Sequence, residues 1–314
     1  MPDDGICVSA TWNKHGVTVA GGFGSGSALN QLNSPWGLYV DDDNTIYVAD
    51  TSNQRVVKWE SGVSSGQVVA GGNRLGNQNN QLWGVTNIAI DKNGTMFMCD
   101  RFNKRVQRWY KNDNHGQTII ANIACSGLTM DYEGTLYASD YEKNIVMKMP
   151  SGQVVAGGNG RGSALNQLSY PISLFVDREK SVFVADYYNN RVMKWQVGAH
   201  EGIVTVGDNK QEADANQFSR PVSVAVDKSG TLYVLDSFNH RVMRWFKENE
   251  SVSVIVGGRG SGNQTNQLSY PYHLTFDRHG NLYVADTANH RVQMFAIDKS
   301  SCASGKFEAT LLIN

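Results

Sequence analysis

Several common routes to a function are closed off by what this chain has little of. Its 28 lysines and arginines nearly cancel its 29 aspartates and glutamates, leaving a net charge of −1. No whole-molecule field therefore draws it toward nucleic acid or anionic lipid. Apolar runs are only a few residues long, against the ~20 that a membrane-spanning helix requires, so no membrane insertion is expected. The opening Met1-Pro2-Asp3-Asp4 carries neither a basic nor an apolar stretch, and no targeting leader is read from it. Apolar residues at helical spacing are absent, which argues against an α-helical fold.

What the chain has is one signature met six times. Val48-Ala49-Asp50 leads to Asn53, Arg55-Val56 and Trp59; Cys99-Asp100 leads to Asn103, Arg105-Val106 and Trp109. Asp186, Asp236 and Asp286 are followed at the same spacing by Asn189, Asn239 and Asn289, then by Arg191, Arg241 and Arg291, then by Trp195, Trp245 and Phe295. The third copy is worn: after Asp140 come Lys143, Ile145-Val146 and Met149. The anchoring aspartates stand about 40–50 residues apart, the period of propeller blades. With 40% apolar and 18% charged residues, the composition is that of a globular protein.

Each copy reads as four short strands. In the first, strand a is Trp36-Gly37-Leu38-Tyr39-Val40, b is Ile46-Tyr47-Val48-Ala49, c is Arg55-Val56-Val57-Lys58-Trp59 and d is Gln67-Val68-Val69-Ala70. Strand a is often entered through a proline (Pro35, Pro171, Pro221, Pro271), whose missing N–H costs no ladder bond at a strand's first position. Turns such as Asp42-Asp43-Asn44 join a to b. One four-stranded blade cannot bury both faces, so the fold requires a closed ring. The expectation is an all-β, six-bladed propeller of four-stranded antiparallel blades, one domain over residues 1–314. Val17-Thr18-Val19-Ala20-Gly21-Gly22 matches strand d yet precedes the first strand a, and is expected to be the outer strand of the last blade, closing the ring. Phe307 to Leu312 also looks like a strand, one outer strand too many, and is expected to be an added edge strand or tail.

The Asp-x-x-Asn-x-Arg-Val pattern, with His after Asn in Asn239-His240-Arg241 and Asn289-His290-Arg291, resembles the NHL repeat over roughly residues 17 to 298. The resemblance implies the propeller fold and leaves function open, because similar propellers serve as protein- or RNA-binding modules, as extracellular sensors and, in the peptide-amidating lyase, as a zinc enzyme. The motif residues themselves read as structural. Asp ending strand b and Arg opening strand c can pair across the turn, and Asn can satisfy the turn's backbone. Chemistry needs one asymmetric site, not six copies.

The candidate chemical sites fall one by one. Gly21-Gly22-Phe23-Gly24-Ser25-Gly26 and Gly157-Gly158-Asn159-Gly160-Arg161-Gly162 imitate a phosphate loop, but a strand follows where a helix N-terminus is needed. Zinc requires three or four converging ligands, and of His15, His115, His200, His240, His273, His279 and His290 only His273 lies on an inner strand. In the middle of the inner strands the blades present Gly37, Asn87, Gly127, Ser173, Ser223 and His273, a ring with no carboxylate for calcium. No cofactor or metal is expected. RNA binding needs a concentrated basic surface, whereas most arginines serve the repeat and Glu142, Asp208, Glu212 and Asp214 dilute the same face.

The four cysteines pair sensibly on the ring. Cys99 ends strand b of the second blade and Cys125 opens strand a of the third, while Cys7 and Cys302 flank the two chain ends and could clamp the closure. Four free buried thiols are the alternative. The pairing and the sequons at Asn93, Asn249 and Asn263 point to a secreted protein, with a cytoplasmic one as the alternative.

The face that carries the d-to-a crossings and the b-to-c loops collects Trp36, Trp83, Phe102, Tyr141, Tyr170, Tyr187, Tyr188, Phe238, Tyr270 and Tyr272, with Arg74, Arg101, Arg161, Arg220 and Arg259 among them. Exposed aromatics beside arginine are interface hot-spot chemistry, and ring faces stack on sugars; the same rings could instead pack between blades. The third crossing is only Asn122-Ile123-Ala124, and a notch is expected there beside Trp83, Asn87 and Arg101. The reading is a non-catalytic binding module for a protein, peptide or glycan, with Trp36, Trp83, Asn87, Arg101, Tyr170, Tyr187, Arg220, Phe238, Tyr270, Tyr272 and His273 as ligand-binding candidates. The alternatives are a lyase or hydrolase at the channel mouth and a structural scaffold. The sequence assigns no oligomeric state.

Overall fold

Alternating β-branched and aromatic residues suit a pleated, half-buried surface, and in the computed structural model, which describes residues 6–207, 217–246 and 251–302, they form six four-stranded antiparallel sheets. Blade one has strands a Pro35–Val40, b Ile46–Asp50, c Arg55–Trp59 and d Gln67–Gly71. Strands a of the following blades are Val85–Ile90, Cys125–Met130, Pro171–Val176, Pro221–Val226 and His273–Phe276. These six strands touch one another in a closed cycle, blade six returning to blade one, so they stand around one axis. Pro271 lies two residues before its strand rather than in it. Among the described residues no helix is long and apolar enough to cross a membrane.

The N-terminal segment closes the ring as its pattern requires. Val17–Gly21 pairs antiparallel with Arg291–Phe295, Val17 opposite Met294 and Gly21 opposite Arg291, and becomes strand d of blade six. A second latch carries no propeller signature in the sequence. Thr11–Trp12 pairs with Ile297–Asp298, the Trp12 indole N–H donates to the Gly280 carbonyl at 3.0 Å, and the Arg244 guanidinium donates to the carbonyls of Cys7, Val8 and Ala10. Disulfides join Cys7 to Cys302 and Cys99 to Cys125. The segment 307–312 lies outside the described residues, as do Asp208, Glu212, Asp214 and Asn249.

The repeat motif is a staple between strands and crossings. The Asp50 carboxylate accepts from the Asn33 N–H (2.7 Å), the Asn53 amide (2.8 Å) and Arg55 Nε (2.7 Å). The rest of the Arg55 fork donates to the carbonyls of Ser27, Ala28 and Gln31 in the crossing that enters the blade. Asn53 reaches the Gly26 carbonyl of that crossing rather than its own turn. The same ion pair, at 2.7–2.8 Å, recurs at Arg105, Arg191, Arg241 and Arg291. Blade three has lost the motif arginine and asparagine together with the loop they hold: Ile145 and Lys143 stand in their places, and the crossing is Asn122-Ile123-Ala124. The worn copy and the short crossing coincide in the same blade.

Candidate functional site

Three features of the blade template deliver side chains to the loop face around the axis. First, the register of strand a slips near its start, between Pro35 and Leu38 in blade one and between Pro171 and Ser173 in blade four. Such a bulge re-aims the residue inside it, and Trp36 sits at this point. Second, the residue after each motif aspartate lies beside the next blade's inner strand. Where it is threonine, its hydroxyl donates across the junction, Thr51 to the Val85 carbonyl at 2.8 Å and Thr287 to the Pro35 carbonyl at 2.7 Å. Arg101, Tyr141 and Tyr187 occupy this position in blades two to four.

Third, the residue at the entry to strand a, directly before it or, for Tyr270, three residues ahead, takes left-handed backbone in several blades. Gly84 does so at φ 72°, and Tyr170, Arg220 and Tyr270 at 63°, 57° and 43°. Their N–H groups are pinned by the preceding blade: Tyr170 to Asn144 Oδ1 at 2.8 Å, Arg220 to Asn190 Oδ1 at 3.0 Å, Tyr270 to His240 Nδ1 at 3.1 Å. Glycine is the inexpensive residue for this conformation, as blade two shows. A bulky side chain there is strained by about 1–3 kcal/mol, and the neighbouring blade's acceptor holds it in place.

The rings so placed form a connected belt. Trp36 stacks on Tyr272 with centroids 4.1 Å apart and planes 13° from parallel. The Arg101 guanidinium lies 5.3 Å from the Trp36 centroid, 4.1 Å from Tyr141 and 5.7 Å from Tyr170, and it donates to the Tyr170 hydroxyl. Tyr170 meets Tyr187 and Tyr188 at 5.8 and 5.1 Å. Arg220 donates to the Tyr187 hydroxyl at 3.2 Å and lies 4.6 Å from Phe238, which meets Tyr270 at 5.5 Å. Trp83 packs on Phe102 with centroids 5.6 Å apart and planes tilted by 48°, and Phe102 is 5.8 Å from Arg101. Burial raises the Tyr170 and Tyr272 hydroxyl pKa values, so both act as neutral hydrogen-bonding groups at physiological pH.

Two candidates lie elsewhere. Asn87 and His273 belong to the wall of an axial cavity of about 500 Å³, lined from five inner strands and opening at the other end of the ring, among the turns at Asp91–Asn93 and Asp131–Gly134. Burial lowers the His273 pKa to about 4, and its Nδ1 accepts from the Leu38 N–H at 3.4 Å, so the ring is neutral there and links blade six to blade one. The carboxylates by this cavity are engaged in turns and pairs: Asp91 and Asp131 accept their own turn N–H groups, and Glu133 pairs with Lys180 at 2.6 Å. At the short crossing, Lys104 pairs with Glu142 at 2.7 Å from blade two to blade three. Among the described residues no three His, Cys, Asp or Glu side chains gather as a metal would need.

The reach of Arg101 was the feature that the sequence did not disclose. It stands next to a motif aspartate and within four residues of a motif arginine, so nothing in the pattern says that it leaves the blade for the axis. Its place among the aromatic residues of this face was readable, and a further signal is that the equivalent residue in blades one, five and six is a small hydroxyl side chain.

Comparison with known proteins agrees with this architecture. The NHL repeat model matches residues 32–59, 218–244 and 268–295, the first, fifth and sixth blades. No protein of curated function matches the sequence. Among solved structures, a structural genomics protein of unknown function from Bacteroides thetaiotaomicron VPI-5482 is similar with a TM-score of 0.71 at 16% identity, over 92% of this chain and 77% of that one. An auxiliary nutrient binding protein from the same organism gives 0.68 at 12% identity, over 90% and 76%. Virginiamycin B lyase from Staphylococcus aureus gives 0.59 at 12%, over 92% and 99%. At these identities the likeness is one of fold. With the Asp–Asn–Arg staple built the same way in five blades, a closed cycle of six sheets and the repeat matched at three of them, the chain is a six-bladed β-propeller that carries NHL repeats.

Proposed function

We propose that the chain is a non-catalytic recognition module that takes a protein, peptide or glycan ligand on its loop face. The observation that carries this reading is the strained, pinned presentation of Tyr170, Arg220 and Tyr270 within one continuous belt of rings and guanidiniums. The conformation itself belongs to the blade template, Ser34 adopting it with its N–H on His290 Nδ1 at 3.1 Å; what distinguishes blades four to six is the bulky side chain carried there in place of the serine or of Gly84. Part of the belt faces solvent: Trp83, Tyr188, Phe238 and Tyr270 are 41%, 44%, 41% and 47% exposed. Ring faces and guanidiniums at the edge of a buried centre are suited to anchoring side chains or stacking sugars. Fold-level likeness to auxiliary nutrient binding proteins supports a binding role. The two disulfides favour an oxidising compartment, and the proposed place of action is outside the cytosol.

Peptide and glycan arrays probed with the whole chain test this reading. Because Trp83, Tyr188 and Phe238 are exposed, their joint replacement by serine is expected to weaken capture at least about tenfold, a loss of ~1.4 kcal/mol, while the melting temperature moves by only a few degrees. Capture that survives the triple substitution, or arrays without a single hit, would refute the proposal.

A further inference from the structure

Arg101 is the charged residue whose surroundings the fold does not explain. The five motif arginines are each paired with an aspartate at 2.7–2.8 Å. Arg101 is equally buried, at 7% exposure, yet no carboxylate pairs with it among the described residues. Its Nη2 donates to the Tyr170 hydroxyl, and the Tyr141 and Tyr272 hydroxyls lie close to the same charge, whereas Nε and Nη1 make no hydrogen bond of good geometry. A guanidinium cannot shed its proton to relieve this, and a buried charge without a counter-charge is costly. Ring faces from blades one, three and four recover part of that cost, but they are neutral and leave donors unused.

The geometry states what is missing. Unused N–H donors of a planar fork match the two oxygens of a carboxylate. The surrounding walls are flat and apolar: the stacked Trp36–Tyr272 pair on one side, Tyr141 and Tyr170 on another. A phosphate would also fit the fork, but the walls around Arg101 are ring faces rather than further donors, which favours a singly charged carboxylate carried on an apolar group.

Resting on the recognition reading of this face, we propose that Arg101 is its anion receptor, and that the ligand presents a carboxylate attached to a flat or apolar group. The carboxylate pairs with the guanidinium, and the attached group lies among Trp36, Tyr141, Tyr170 and Tyr272. The unused donors are covered by rings, so entry displaces a ring, and Trp36 reports it directly.

The test titrates the whole chain with 3-phenylpropionate and with its neutral amide, following tryptophan emission and heat of binding. The acid is expected to bind at least about tenfold more tightly than the amide and to perturb the emission. Arg101→Gln abolishes the preference, and Arg101→Lys, which keeps the charge and loses the fork, restores only part of it. Equal binding of acid and amide, a preference that persists in Arg101→Gln, or no saturable binding of either up to millimolar concentration overturns the assignment. Arg101→Met supplies the folding control: with an uncompensated charge removed, its melting temperature is unchanged or higher, and a large drop would mark Arg101 as a packing element. Array capture of neutral ligands that depends on Trp83, Tyr188 and Phe238 but shows no carboxylate preference would sink this inference and leave the recognition reading standing.

Discussion

The staple in blade four shows how much one residue pair holds. Asp186 accepts from the Ser169 N–H, the Asn189 amide and Arg191 Nε at 2.7, 2.7 and 2.8 Å, and Arg191 passes its remaining donors to the carbonyls of Ser163, Ala164 and Gln167. Removing the cation orphans a fully buried carboxylate and three crossing carbonyls. Arg191→Ala is therefore expected to cost about 3–5 kcal/mol, read as a fall in the urea midpoint. In blade three the equivalent aspartate is served by Lys143 at 3.1 Å, whose side chain is 54% exposed, and Lys143→Ala should cost under about 1 kcal/mol. Equal losses at the two sites would refute the account. The Asp–Arg pair was legible in the sequence because both partners are side chains at fixed spacing. The carbonyls that the arginine fork grips were not, since a backbone acceptor leaves no mark in the residue type. The indirect trace was the joint loss of arginine, asparagine and loop in blade three.

At the scale of the element, four of the blades need their outermost strand to approach the ring that ends strand c. Trp59, Trp109, Trp195 and Phe295 are among the largest fully buried side chains, and a glycine lies just before strand d in each of these blades: Gly66, Gly116, Gly202 and Gly16. A Cβ on Gly202 would come within 2.8 Å of the Trp195 ring, tighter than packed interiors tolerate. Gly202→Ala is thus expected to destabilise by about 1–3 kcal/mol and to alter near-UV circular dichroism, while Glu201→Ala beside it stays within ~0.5 kcal/mol. An unchanged spectrum and melting curve for Gly202→Ala would sink the idea. Strand positions were readable from the repeat. The aromatic belt was readable as a list of residues on one face but not as a set of contacts, because Tyr170, Arg220 and Tyr270 depend on left-handed backbone that no residue type announces.

For the whole molecule the decisive event is ring closure, which brings the N-terminal and C-terminal segments of the described residues together. Strand Val17–Gly21 pairs with Arg291–Phe295, and the Cys7–Cys302 disulfide ties residues 295 positions apart in sequence. The Cys99–Cys125 disulfide spans 26 positions between adjacent blades. In the chain-entropy picture a cross-link stabilises by restricting the unfolded chain, and the larger loop gains more: roughly 5–6 kcal/mol for the terminal bridge against roughly 3–4 for the inner one, as upper values. The terminal bridge also holds the carbonyls of Cys7, Val8 and Ala10 against Arg244, so its loss frees a latch as well as a constraint. Replacing Cys7 and Cys302 by alanine should therefore lower the melting temperature more than replacing Cys99 and Cys125, even though the inner pair is fully buried and the outer pair is not. The reverse order would mean that local packing at the junction of blades two and three, rather than closure of the ring, limits the stability of the propeller.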